Sequence, residues 1–185
     1  ISNYHSGQEN QNNQNNARSD EMIRNESLRG TNLAPSLAVR YLSEHRKIDL
    51  TQINLSEDLR FTLKAYSKET NSFHPAFVAI ARNVSGGISA AQMTYLDTNT
   101  AGKNKALSVQ KRSLGALRES FVELTENKTF HTIFIAEGIE TALSIAQAQP
   151  GKRVICSLGV SNIANIDLGS KSEVHNKNII IFEKL

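Results

Sequence analysis

A chain of 185 residues with 39% hydrophobic content can bury one core of ordinary size, so one domain in one or two lobes is expected. A formal net charge of +3 does not by itself establish a nucleic-acid partner, and the single Cys156 excludes an internal disulfide or a cysteine-rich zinc site within the chain. No stretch approaches the roughly 18 uninterrupted apolar residues of a membrane helix, and the polar N-terminus lacks the apolar core of a secretion signal; a soluble protein of the reducing cytoplasm is expected.

The chain opens on Ile1, which suggests a fragment of a longer polypeptide. Residues 1–27 concentrate Asn and Gln, as in GQENQNNQNNARSDEMIRNE, with few large apolar groups to offset the entropy of ordering. They read as a disordered linker, although a Gln/Asn run can also favour self-association. Beyond Leu33 the pattern changes: Leu37, Tyr41 and Leu42 share a helical face, and Pro35 falls near the first turn, where its missing N–H costs little. Arg40, His45, Arg46 and Lys47 on or just past this helix can meet a phosphate backbone, or simply form a solvated face that answers the helix dipole.

Three strands are predicted at 59–66, 76–82 and 88–96, the last two joined through Val84-Ser85-Gly86-Gly87 as an antiparallel hairpin. Arg60 and His74 flank this small β lobe; His74, beside Pro75, reads as a structural loop residue. Residues 101–118 then carry Lys103, Lys105, Lys111, Arg112 and Arg118 and no acidic residue. A one-sided run of this kind can follow single-stranded nucleic acid or hold a nucleoside triphosphate; otherwise it is a solvated loop. A further strand is predicted at 120–126.

The most informative stretch is Thr132-Ile133-Phe134-Ile135-Ala136-Glu137-Gly138-Ile139-Glu140-Thr141-Ala142-Leu143-Ser144. Its apolar run is too short for a helix and reads as a buried central strand. Gly138 allows a sharp turn, after which Ile139, Leu143 and Ala146 recur at helical spacing to about Gln149, where Pro150-Gly151 stops the helix. Glu137 therefore stands at the carboxyl end of a strand, where open α/β sheets bind their ligands. Strands at 153–158 and 178–182 follow, with a capped turn at Ser161-Asn162 between them, and the apolar run of the last reads as another centrally placed parallel strand. The expected fold is α/β: a β-α-β-α-β parallel-sheet core in 128–185, preceded in 28–127 by a short helix and an antiparallel β lobe.

The segment IAEGIETALSI resembles the first signature of the Toprim domain, in the version found in plasmid and phage primases and the primase-like C-terminal region of conjugative relaxases. GTNLAPSLAVRYLSEHRKI and HPAFVAIARN…GGISAAQMTYLD resemble segments upstream in those proteins, and LDTNTAGKNKALSVQKRSLG resembles the stretch before their catalytic unit. The resemblance implies that Glu137 is a general acid/base and that Mg²⁺ is held by carboxylates at the sheet edge, Glu137, Glu140 and Glu183 being the candidates in this chain. It also implies an Asp-x-Asp pair after the last strand. Here only Glu183, Lys184 and Leu185 follow, and the ammonium beside Glu183 competes with a cation.

Glu140 has an alternative reading, since a carboxylate in the first helical turn is stabilised by the dipole without any catalytic part. Asp167 and Glu173 read as surface charge, and Thr141 and Ser144 as packing and backbone-bonding residues with no histidine partner. Two functions follow. One is Mg²⁺-dependent phosphodiester chemistry on single-stranded DNA, within conjugation or replication machinery and completed by acids beyond Leu185. The other is a truncated nucleic-acid-binding module that turns nothing over.

Overall fold

The computed structural model describes residues 25, 29–33, 36–126, 131–168 and 178–182. The linker expected over 1–27, apart from Asn25, lies outside the described residues, as do Pro35, Glu173 and Glu183. The elements are β1 (Thr31–Asn32), α1 (Leu37–Arg40), β2 (Leu59–Ser67), β3 (Ser72–Arg82), β4 (Ile88–Tyr95), β5 (Lys111–Gly115), β6 (Val122–Glu123), β7 (Thr132–Ala136), α2 (Ile139–Ala148), β8 (Arg153–Cys156), α3 (Val160–Ile163) and β9 (Asn178–Phe182). Among these, no helix is long and apolar enough to cross a membrane.

The first half is a five-stranded antiparallel sheet in the order β1-β2-β3-β4-β5. β3 begins earlier than predicted and includes Pro75, which a strand tolerates only where no ladder N–H is needed. The register between β2 and β3 slips there: Thr62 pairs with Ala76 and Ala65 with His74, so Leu63 and Lys64 bulge opposite the proline. His74 is a structural residue, its Nε2 bonded to the hydroxyls of Thr70 and Ser72 and its ring edge-on to Tyr95.

Strand β5 runs through the segment predicted as an irregular basic loop. Apart from Leu114 its residues are polar or glycine, yet as an edge strand it needs only one partner, and it pairs with β4 from Thr94↔Lys111 to Ala90↔Gly115. Gly115 closes it at φ 85, and a Cβ there would lie 2.3 Å from the Ser89 carbonyl oxygen. Backbone cannot yield as a flexible side chain can, so Gly115→Ala should destabilise the fold by at least about 2 kcal/mol, read as a lowered denaturant midpoint.

The second half is a four-stranded sheet in the order β6-β8-β7-β9. β8 and β9 run parallel to β7, and β6 runs antiparallel to β8. β7 is central, as its apolar run predicts. β9 is not: it has β7 on one side, and Ile179, Ile180, Ile181 and Phe182 are 40–49% exposed. It is the outermost of the described strands on its side of the sheet, so its apolar run did not mark a centrally placed one.

One core joins the two sheets. Phe77 and Ala79 from the first meet Tyr41 and Leu42 of the N-terminal helix, and Phe134 and Leu143 from the second half. The helix is short because Ser36 caps Val39 at its start and the turn after Arg40 widens to π geometry over Tyr41–His45. That widened turn carries Tyr41, His45 and Arg46 towards the start of α2.

Candidate active site

Strand β7 delivers Glu137 to the carboxyl edge of the sheet. Its backbone N–H reaches the Phe182 carbonyl at 3.4 Å, which ties it to the tip of β9, and its carbonyl accepts the Cys156 thiol at 3.2 Å. The Glu137 side chain is half-buried and has no hydrogen-bond or ion-pair partner among the described residues. Gly138 sits between it and α2 at φ −114 and ψ 149, an extended conformation open to any residue. The sharp turn therefore does not demand glycine. What the glycine does is leave space, since a Cβ there would meet nothing within 4 Å.

Glu140, one turn into the site, has the opposite surroundings. Its Oε1 accepts the Tyr41 hydroxyl at 2.8 Å and lies 3.7 Å from Lys103 Nζ and 3.8 Å from an Arg46 guanidinium nitrogen. Its Oε2 accepts Lys111 Nζ at 3.3 Å. Arg46 Nε in turn donates to the Tyr41 hydroxyl at 2.8 Å. Burial pushes the Glu140 carboxyl up, but Lys111, its own backbone N–H, Tyr41 and Lys103 outweigh burial and hold it at about 2. Burial also raises the Tyr41 phenol and lowers the Lys103 ammonium, the latter partly offset by Glu140.

The sign of the resulting pH dependence follows. Glu140 is depressed from 4.5 to about 2 on folding, so its contribution is fully present above 4.5 and lost as pH falls towards 2. At 1.36 kcal/mol per unit this amounts to about 3 kcal/mol. Glu140→Gln should therefore show a shallower loss of unfolding free energy between pH 4.5 and 2 than the native chain, measured by denaturant titration at each pH.

Strand alternation decides which of the predicted basic residues arrive here. Lys111 and Arg112 are adjacent in β5 and so project to opposite faces. Lys111 takes the face of Thr94 and Phe77, towards α2, whereas Arg112 takes the face of Met93 and interacts with Tyr95. Lys103 is held by a bridge to Leu96 and by the turn before it, where Asp97 accepts from Asn99 and Thr100. Lys105 stays exposed, and Arg118 pairs with its neighbour Glu119 at 3.5 Å on an exposed turn. Arg46, which the sequence left between a phosphate contact and a solvated face, joins the site, and His45 Nε2 donates to the Thr100 carbonyl at 2.7 Å beside it. Arg40 instead pairs with Glu44 on the exposed side. Ser144 donates to the Glu140 carbonyl, the backbone bond expected of it, and Asp167 is exposed.

Beneath these groups lies Cys156, fully buried and pushed up to about 12 by that burial, with Lys111, Glu140 and Glu137 all acting on it electrostatically.

Among the described residues no group of three or more His, Cys, Asp or Glu side chains is placed to enclose a metal ion. Mg²⁺ does not need one, since it commonly binds one or two carboxylates with waters and substrate phosphates supplying the rest. Glu137 fits that use. Glu140 does not, because an ion there would have to displace Lys103, Lys111 and Arg46 from the same two oxygens. In this structure the Glu140 oxygens are taken by these ion pairs, and Glu183 lies outside the described residues.

Two family descriptions match the chain. Residues 17–124 match the family described as Domain of unknown function (DUF7146), and residues 132–183 match the Toprim domain. No curated protein matches the chain. A Toprim domain places the chain in nucleic-acid metabolism, and such domains generally bind Mg²⁺. With the first match covering more than half of its length and the second taking in β7, Glu137 and α2, the chain belongs to the DUF7146 family and carries a Toprim domain after it.

Proposed function

We propose that this chain is the Toprim part of a primase-like or relaxase-linked protein whose activity, completed by further acids outside the chain, is Mg²⁺-dependent nucleotidyl transfer on single-stranded DNA. The observation that carries this reading is the juxtaposition of Glu137 at the tip of β7, whose carboxylate has no partner among the described residues, with a cation cluster contributed by three other segments of the chain. Glu137 accepts the proton of the attacking hydroxyl as the new O–P bond forms and the bond to the leaving pyrophosphate breaks. Lys103, Lys111 and Arg46 offset negative charge on the phosphates. Glu137 is the residue that would hold Mg²⁺, which when bound would supply charge neutralisation for the phosphates. The first N–H groups of α2, beginning in the open space at Gly138, add a favourable field for anions at the same edge.

Incubating the full-length protein that contains this chain with a single-stranded oligonucleotide, nucleoside triphosphates and Mg²⁺ tests the proposal. An extended or newly primed product that disappears on chelation is expected. Oligonucleotide binding without product, in Mg²⁺ and in Mn²⁺ alike, would overturn it in favour of a binding module.

A further inference from the structure

The ion-pair network around Glu140 is more than a bridge between two lobes. Its carboxylate gathers Arg46 from the N-terminal helix turn, Lys103 from the loop after β4 and Lys111 from β5, with Tyr41 filling the remaining place on Oε1. Among the described residues, three cations paired with this one carboxylate leave a surplus of two positive charges in a half-buried cluster whose members are 20–37% exposed. A structural salt bridge has no need of such a surplus. Desolvating ammonium groups beside one another costs free energy, as the lowered pKa of Lys103 records, and that cost is recovered when a dianion arrives.

We propose that Arg46, Lys103 and Lys111 form a phosphate-binding site and that Glu140 is its positioning residue, a fixed counter-charge that holds the cations converged beside the reactive edge. The assignment of that edge rests on the function proposed above; the anion site itself does not. Tyr41 takes part by holding two members of the site at once, accepting from Arg46 and donating to Glu140. The phosphate can belong to a polyphosphate or to a nucleic-acid backbone, and the two sources are separable.

Binding of inorganic triphosphate and of an oligothymidylate is measured by calorimetry without divalent ions, on the full chain and its variants. Lys111→Met should weaken both ligands and reduce the salt slope for the oligonucleotide by about one. Glu140→Gln removes a negative charge, so a merely electrostatic role predicts tighter binding; the positioning role predicts binding about tenfold weaker, restored in large part by Glu140→Asp. Weakening for triphosphate alone assigns the site to a polyphosphate, and weakening for the oligonucleotide alone to the backbone. Equal or tighter binding by Glu140→Gln would overturn the positioning role. Unchanged binding by Lys111→Met would overturn the site. If Glu140→Gln does not fold, Tyr41→Phe provides the second test, with a loss of affinity expected and an unchanged affinity contradicting the proposal. None of these readings depends on catalysis, so they stand or fall separately from the transfer reaction.

Discussion

Glu123→Gln should lower the unfolding free energy by about 3–5 kcal/mol, the largest stability effect expected of any single substitution considered for this chain. Glu123 on β6 and Arg153 on β8 are diagonal neighbours on one face of the second sheet, because Glu123 pairs with Ile155. Both are about nine-tenths buried. Arg153 reaches both carboxylate oxygens, with Nε at 3.2 and 3.3 Å and an Nη at 2.9 Å, and its guanidinium lies 5.7 Å from the Phe121 ring centroid. The amide keeps the shape but not the charge, and leaves a guanidinium buried with no counter-ion. The pair itself is not thereby a net stabiliser. Replacing both members, as Glu123→Leu with Arg153→Met, should recover most of the loss, and chemical denaturation of the two variants side by side checks both statements.

Glu137→Gln has the largest expected effect on activity: a fall of about 10²- to 10⁴-fold in the rate of nucleotide transfer, with affinity for single-stranded DNA unchanged. The separation follows from the geometry. The cations proposed to bind phosphate are anchored on Glu140, three residues further along, and Glu137 shares none of those contacts. Its backbone bonds to Phe182 and Cys156 survive the substitution, so the edge of the sheet stays in place. Parallel turnover and binding titrations distinguish this from a folding defect, which would lower both.

Much of this site is legible in the linear chain, and the part that is not has a physical reason. β7, Glu137 and α2 are readable because a short apolar run, a glycine and a helical repeat are all local signals. The partners of Glu140 are not local: Tyr41 is 99 residues away and Lys111 is 29 away. From the sequence, Glu140 therefore has only its place in the helix dipole to recommend it, and a metal role looks as good as any other. The same holds for Arg46, whose spacing on a short helix fits a solvated face and whose actual position depends on the widened turn at Tyr41–His45.

Strand β5 was hidden for a different reason. Polar residues flanked by glycines satisfy loop statistics as well as they satisfy an edge strand, and only pairing with β4 separates the two. Knowing that strand would have told Lys111 from Arg112 at once, because adjacent residues face opposite sides. β9 shows the converse error, since four apolar residues in succession promised a central strand and the described sheet leaves it outermost.

Replacing Mg²⁺ with Fe²⁺ in the presence of peroxide and ascorbate, and mapping where the backbone is cut by locally generated radicals, reports the position of the metal directly. The account predicts cleavage concentrated around residues 136–138, competed away by excess Mg²⁺ and lost in Glu137→Gln. Cleavage centred elsewhere, or the same pattern in the native chain and the variant, would contradict it.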